Sequence, residues 1–304
     1  MIPDGLAGPG VSVQEDAPLA ARTTLRIGGP ARFLAEATDA SALARVLECA
    51  AREGMPVLVL GRGSNLLVPD AGFPGVVLVL GGAFRATRVE RTEIVAGGGV
   101  SLMALAVAAR DAGLSGVENV SGIPSSVGGA VRINAGSYGS EIFDVLVSAT
   151  LVSPAGEVRT AEASTIPHGY RWTSLCETGD IVAEARFLLS SKSPSEIAAR
   201  MAEVAAKRRA ALPKQPNAGS IFKNPPGHFA GKLLEECSLK GRRIGGAQVS
   251  KVHANVIVNT GGATAEDVKF LMAEMKRAVK DKFGIDLQPE IQIVGRTEDF
   301  LKGE

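Results

Sequence analysis

The sequence predicts an α+β protein: two small α/β units in series, then a separate C-terminal α/β unit. Three observations predict it. Short apolar runs such as Val57–Leu60 and Val76–Leu80 alternate with segments whose apolar residues recur at helical spacing, such as Leu43, Val46, Leu47 and Ala50. Three glycine-bearing segments, Gly61–Asn65, Gly97–Gly99 and Gly122–Gly139, fall at the ends of predicted strands. A Pro-rich break, LPKQPNAGS, then interrupts the pattern before the last α/β stretch. A chain of 304 residues has room for two or three domains.

Taken in order, residues 1–20 are rich in Gly, Pro and Ala and are expected to lie loosely on the surface. Ala31–Ala37 reads as a strand and Ser41–Glu53 as a helix closed by Gly54. With the runs at 57–60 and 76–80 and the long loop GRGSNLLVPDAGFPG between them, residues 21–81 make the first unit. Thr87–Ala96 reads as one strand ending in Gly97-Gly98-Gly99, and Ser101 caps a helix that runs to Ala112 and stops at Gly113. Val145–Val152 and Ile181–Leu189 complete a second unit over 82–193. Ser195 is the expected cap of the next helix, whose apolar face is Ile197, Met201, Val204 and Ala205. Its basic end, Lys207-Arg208-Arg209, suits a helix C-terminus. Residues 205–304 form the last unit. Its clearest element is Thr264–Phe283: Thr264 and Asp267 have capping-box spacing, Val268, Leu271, Met272, Met275, Val279 and Phe283 form a stripe, and Gly284 ends it. Asn255–Val258 and Ile291–Val294 flank it as strands.

Composition narrows the function. The net charge is +1, so no overall field attracts nucleic acid or a membrane, and 4% aromatics is too few for a stacking surface along single strands. The N-terminus MIPDGLAGPG lacks the basic start and apolar run of a signal peptide, and no membrane span is expected. Cys49, Cys176 and Cys237 are odd in number and form no CxxC pair. His168, His228 and His253 lack ligand spacing. Neither a disulfide framework nor a metal is therefore expected, and a cytoplasmic location is.

Glycine segments at strand ends expose backbone N–H groups, and a pyrophosphate is their natural ligand. Any one of them alone is more simply a tight turn; three so close together favour a large phosphate-bearing ligand. The familiar motifs fail. No GxxxxGK[ST] is present, and Gly61-Arg62-Gly63-Ser64-Asn65-Leu66 ends in Leu66 and leads into VPDAGFPG instead of a helix, which disfavours a Rossmann site. The residues by themselves indicate a dinucleotide-like cofactor held in a non-Rossmann way.

The order of the glycine segments resembles the FAD domain of vanillyl-alcohol-oxidase (PCMH) type flavoproteins. More narrowly, IGGPARF (27–33), GRGSNLLV (61–68), GIPSSVGGAVRINAGSYG (122–139), GYR (169–171), AGSIFKNP (218–225), AGKLLEECSLKGRRIGGAQVS (230–250), HANVIVN (253–259) and PEIQIVG (289–295) resemble the UDP-N-acetylenolpyruvoylglucosamine reductase family, from about residue 20 to near the end. The compact stretch from Ser220 to Glu290, with Tyr138 and Tyr170 as the only tyrosines, is similar to the shorter form of the family, which lacks an inserted tyrosine loop. Two positions depart from the pattern: Ser125 replaces a common glycine, and Thr173 replaces a serine while keeping a hydroxyl.

The resemblance implies reduction of UDP-N-acetylglucosamine enolpyruvate to UDP-N-acetylmuramate in peptidoglycan precursor synthesis, hence a role in cell wall biogenesis, cell shape and cell division. FAD is the cofactor and NADPH the co-substrate. FAD is expected to be non-covalent, since no His or Cys lies in the glycine blocks. By resemblance, cofactor contacts fall on Gly61, Arg62, Gly63, Ser64, Asn65 and Leu66, on Gly98, and on Gly122, Ile123, Pro124, Ser126, Val127, Gly128, Gly129 and Ala130. They continue through Asn134, Ala135, Gly136, Tyr138 and Gly139 to Val182. Ser64 and Asn65 are expected to reach the pyrophosphate through side chain and backbone.

Also by resemblance, Arg171 binds the substrate carboxylate, Ser220 donates a proton and Glu290 flanks the carboxylate, expected in protonated form because an ionised Glu repels the intermediate. Tyr170, Lys223, Asn224, Lys251 and His253 are expected at the substrate. Read alone, Ser220 is a turn residue, Arg171 a surface ion pair and Glu290 a strand start. Arg208 and Arg209 read as a surface charge pair, with contact to a diphosphate as the alternative. A monomer is expected. The rival readings are an FAD-dependent oxidase or dehydrogenase of a small alcohol or hydroxy acid, and a nucleotide-sugar binding protein without activity.

Overall fold

The computed structural model describes residues 1–295. They form two compact units, each discontinuous in sequence. The first takes Met1–Glu15, Phe33–Arg62 and Pro74–Arg208; the second takes Asp16–Arg32, Gly63–Phe73 and the chain from Arg209 onward.

Two sheets with separate cores build the first unit. One sheet runs in the order Val11–Pro18, Pro30–Ala37, Phe73–Leu80, Val57–Val59, the last pair parallel. The Ala40–Arg52 helix carries the apolar stripe seen in the sequence, and buries Leu43, Val46, Leu47 and Ala50 in a core with Phe33, Val76 and Leu78. Asp39 caps this helix by accepting the Ala42 N–H at 2.9 Å. The other sheet is antiparallel, in the order Val158–Glu162, Leu146–Val152, Ile181–Leu188, Glu93–Gly97, Thr87–Glu90. Leu102–Asp111 and Val127–Arg132 are the helices of its core, to which they bring Leu102, Leu105, Val127 and Val131.

Three expectations change. The N-terminal residues are not loose: Leu6 is fully buried and Val11–Pro18 is an edge strand. The single strand expected over Thr87–Ala96 is a hairpin, because Arg91 takes φ +59 and reverses the chain between Glu90 and Glu93. Ser193, not Ser195, caps the Pro194–Ala211 helix, accepting the Glu196 N–H at 3.3 Å and donating to its carboxylate at 2.6 Å.

The second unit is an antiparallel sheet in the order Asn217–Ser220, Val256–Asn259, Ala247–Val249, Arg243–Ile244. Its core joins Val268, Leu271, Met272, Met275 and Val279 of the Ala265–Phe283 helix to Leu25, Ile27 and Leu67 from early in the chain. Leu66–Leu67 also pairs in parallel with Gln292–Ile293. The long helix starts as its sequence indicates: Thr264 Oγ1 accepts the Asp267 N–H at 3.0 Å, and Asp267 accepts the Thr264 N–H at 3.0 Å. Asp70 adds a second cap, accepting the Ala265 N–H at 2.9 Å. Among the described residues no helix is long and apolar enough to cross a membrane.

The Thr264 N–H, then the Gly246 N–H, holds the Asp267 carboxyl below the usual carboxylate range. A carboxyl lowered in the folded state contributes stability above its unfolded pKa, and that contribution is lost as pH falls through the folded value. Urea denaturation of the parent and Asp267→Asn is therefore expected to give a stability difference that is full above about pH 4 and shrinks below it. A difference independent of pH contradicts the assignment.

Candidate active site

Of the three glycine segments, only one keeps its backbone donors unengaged. Among the described residues, no N–H from Gly61 to Asn65 donates to another group of the chain. In the second unit the segment turns at Gly63, with φ +60, where a Cβ would lie 2.2 Å from the Arg22 carbonyl oxygen, so only glycine fits. In the first unit Gly61 lies against Ser126, where a Cβ would stand 2.5 Å from Oγ. Two of the segments thus meet there.

The other segments work differently from expectation. Gly98 donates to Ala183 O at 2.7 Å and Gly99 to Phe84 O at 2.9 Å. A Cβ on Gly98 would fall 1.9 Å from Val182 O, so this glycine allows backbones to pack closely and does not offer its N–H to a phosphate. The stretch Gly122–Gly139 contains a short helix, Val127–Arg132, capped by Ser126 Oγ on the Gly129 N–H at 3.2 Å. Val127 and Gly128 donate to Val100 O and Gly98 O at 2.7 and 2.9 Å. The side chains of Val127, Ala130, Ala135 and Val182 are core. Asn134 is fully buried and its side chain is engaged: Nδ2 donates to Glu141 at 2.6 Å and to Gly169 O at 3.1 Å, and Oδ1 accepts the Phe143 N–H at 3.3 Å. These bonds make the Asn134 side chain a brace between Glu141, Gly169 and Phe143.

Gly122, Ile123, Pro124, Gly129, Tyr138 and Gly139 remain at least partly exposed. Against Gly122 runs Arg208, whose Cδ would be 2.4 Å from a Cβ there. Arg208 is half-buried, unlike the exposed Arg209. Burial pushes its guanidinium pKa down, with Tyr138 opposing. No carboxylate pairs with it among the described residues. A half-buried cation of this kind is compensated by an anion, which favours the diphosphate alternative over a surface charge pair.

Arg171, also in the first unit, sits in the turn between His168–Gly169 and Trp172–Thr173 with φ +54, an uncommon conformation for a residue with a Cβ. Its guanidinium lies 4.9 Å from the centre of the Tyr170 ring, donates to Gly136 O at 2.5 Å and faces Glu141 at 3.9 Å. Thr173 anchors the turn by donating to Arg132 O at 2.6 Å, so the hydroxyl that replaces serine has a structural use.

In the second unit the structure brings Ser220 and Glu290 onto adjoining segments. Glu290 N–H donates to Ile221 O at 2.8 Å, and Phe222 bridges Pro289. Asn65 Nδ2 donates to Glu290 O at 3.1 Å, and Asn65 O accepts the Gln292 N–H at 2.9 Å. One hydrogen of the Asn65 amide is therefore engaged with the Glu290 backbone. Asn255, missed in the sequence, is buried behind Ser220. It accepts the Phe222 N–H at 3.0 Å and donates to Phe222 O at 2.8 Å. Its only sequence signal is an amide inside the apolar run ANVIV.

The other substrate candidates divide. Lys223 is half-buried, and its N–H bonds Gln288 O at 2.8 Å, beside Glu290. Asn224 Oδ1 accepts the Ala230 N–H at 3.0 Å at the start of the Ala230–Glu236 helix. Lys251 is exposed. His253 Nδ1 accepts the Asn255 N–H at 3.2 Å, the ring packs on Gly231, and burial, then Lys240, pushes its pKa down. Asn255→Leu leaves two buried Phe222 backbone groups without partners, and is expected to cost about 1–3 kcal/mol for each in chemical denaturation. An unchanged midpoint removes Asn255 from the frame of the site.

With this geometry in place, comparison with known proteins is informative. Residues 31–162 match the FAD binding domain, and 212–294 match the C-terminal domain of UDP-N-acetylenolpyruvoylglucosamine reductase. The UDP-N-acetylenolpyruvoylglucosamine reductase of Agathobacter rectalis is 43% identical over 94% of this chain and 95% of its own length. That of Streptococcus pyogenes serotype M12 is 40% identical over 94% and 97%. The crystal structure of the Thermus caldophilus enzyme superposes with a TM-score of 0.80 at 38% identity, covering 93% of this chain and 98% of that one. The chain has an FAD-binding domain of the PCMH type; in the second unit the N–H groups from Gly63 to Asn65 are unengaged among the described residues, which suits a phosphate-bearing cofactor. The chain belongs to the UDP-N-acetylenolpyruvoylglucosamine reductase family.

Proposed function

We propose that the chain reduces UDP-N-acetylglucosamine enolpyruvate to UDP-N-acetylmuramate with NADPH, in peptidoglycan precursor synthesis. The observation that carries this reading is the attachment of Glu290 to the Ser220 segment, through the 2.8 Å bond from Glu290 N–H to Ile221 O, in a chain of this family. FAD held by this chain would supply the redox chemistry, carrying a hydride from NADPH to the methylene carbon of the enol ether. Negative charge then develops on the carbon beside the carboxylate and spreads into it, so the protein must hold that charge and return a proton.

Arg171 is assigned to the carboxylate, where a guanidinium makes charge-assisted hydrogen bonds. Ser220 Oγ is assigned the proton transfer to the adjacent carbon. A free hydroxyl is a weak acid, but a carbanion is a strong base, and the reaction needs only a well-placed O–H. Glu290 in its protonated form donates a hydrogen bond to the charge. Lys223, Asn224 and Lys251 are assigned to the polar parts of the substrate, and the unengaged donors of Gly61–Asn65 to the cofactor pyrophosphate. FAD is held without a covalent bond, the chain acts as a monomer, and its three free cysteines suit the cytoplasm.

Under anaerobic conditions NADPH is expected to bleach the purified yellow protein, and UDP-N-acetylglucosamine enolpyruvate to restore the colour. Bleaching by a small alcohol but not by NADPH supports the oxidase reading instead. Ser220→Ala is expected to lower product formation about 10²–10⁴-fold while NADPH still reduces the flavin at the parent rate. Turnover equal to the parent refutes the proton-donor role.

A further inference from the structure

We infer that Glu141 and Asn134 are positioning residues that hold the Arg171 guanidinium in the orientation that receives the substrate carboxylate. The inference rests on the role just proposed for Arg171. An arginine side chain has about 2 kcal/mol of rotamer entropy, so a guanidinium that must meet a carboxylate bidentately benefits from being held beforehand. One short stretch, residues 134–141, supplies two restraints on Arg171. Gly136 O accepts from Nη2 at 2.5 Å. Glu141 Oε1 stands 3.9 Å from Nη1, an ion pair too long for a hydrogen bond, which steers the guanidinium by charge.

Glu141 is itself fixed. Its Oε2 accepts from Asn134 Nδ2 at 2.6 Å, and its backbone N–H donates to Asp144 at 2.8 Å. The same Asn134 Nδ2 donates to Gly169 O at 3.1 Å, two residues before Arg171. One fully buried amide therefore ties both the carboxylate that faces the guanidinium and the backbone of the turn that carries it. That turn holds Arg171 at φ +54, a conformation that needs external support. The Arg171 side chain is 18% exposed and Glu141 36%, so the pair is partly shielded from solvent screening.

The test is anaerobic stopped-flow on the FAD-loaded protein, following the flavin in both half-reactions. Glu141→Gln is expected to slow reoxidation by UDP-N-acetylglucosamine enolpyruvate about 10–100-fold and raise the KM for that substrate. Reduction by NADPH, FAD content and Tm stay at parent values, and Glu141→Asp recovers part of the loss. In an Arg171→Ala background, Glu141→Gln adds no further loss. Asn134→Ala removes a fully buried brace and is expected to lower Tm as well, so the Glu141 variants carry the test. Equal slowing of both half-reactions, an unchanged reoxidation rate, or an undiminished Glu141→Gln effect in the Arg171→Ala background overturns the inference. If Arg171→Ala itself reoxidises at the parent rate, the role of Arg171 fails. If Arg171→Ala is slow and Glu141→Gln is not, only the positioning inference fails.

Discussion

Backbone N–H groups without acceptors cost free energy unless water or a ligand satisfies them, and the segment from Gly61 to Asn65 presents a run of them. Much of what surrounds the segment keeps it in that state. Gly63 is pressed against Arg22 so closely that no side chain fits, and Thr24 N–H holds its carbonyl at 3.0 Å. Asn65 is tied through its amide to Glu290 and through its carbonyl to Gln292. A chain held this firmly cannot relax to bond its own donors, which is the preorganisation that a pyrophosphate site requires.

The same attachments give the second unit its chemical layout. Because Asn65 bonds Glu290 and Glu290 bonds Ile221, the segment ending at Asn65, the Ser220 strand and the Glu290 segment are tied together by hydrogen bonds. Asn255 locks Phe222 from behind with both ends of its amide. In the first unit the logic is similar but adds side chains: those of Asn134 and Glu141, with the Gly136 carbonyl, restrain a turn and its arginine. Buried amides recur because an Asn can donate and accept at once, so one residue connects two segments.

Local elements were legible where periodicity and capping agreed. The Ala265–Phe283 helix has a long stripe, a capping box and a terminal glycine, and each signal points the same way. The hairpin inside Thr87–Ala96 was not legible, because its reversal at Arg91 carries no Gly, Pro or Asn to announce it. At the site, the motif blocks indicated the family and the residue types, but not how each residue is used. Gly98 and Asn134 lie in glycine-rich blocks beside Gly61 and Gly63, yet their hydrogen-bonding groups serve the fold.

From sequence alone came the class of fold, the kind of cofactor, the family, and Arg171, Ser220 and Glu290 as the residues to watch. The fold class and a dinucleotide-like cofactor follow from periodicity and glycine spacing, whereas the family and the three residues rest on the resemblance of the motif blocks; all are read from a linear chain. Tertiary structure decided which backbone donors remain available, that Leu25, Ile27 and Leu67 pack in the core of the C-terminal unit, that Asn255 holds the Phe222 backbone, and that Glu141 faces the Arg171 guanidinium. Those outcomes depend on contacts between residues far apart in sequence. A hydrogen bond engaged across such a distance leaves no mark on the local pattern of the residues that make it.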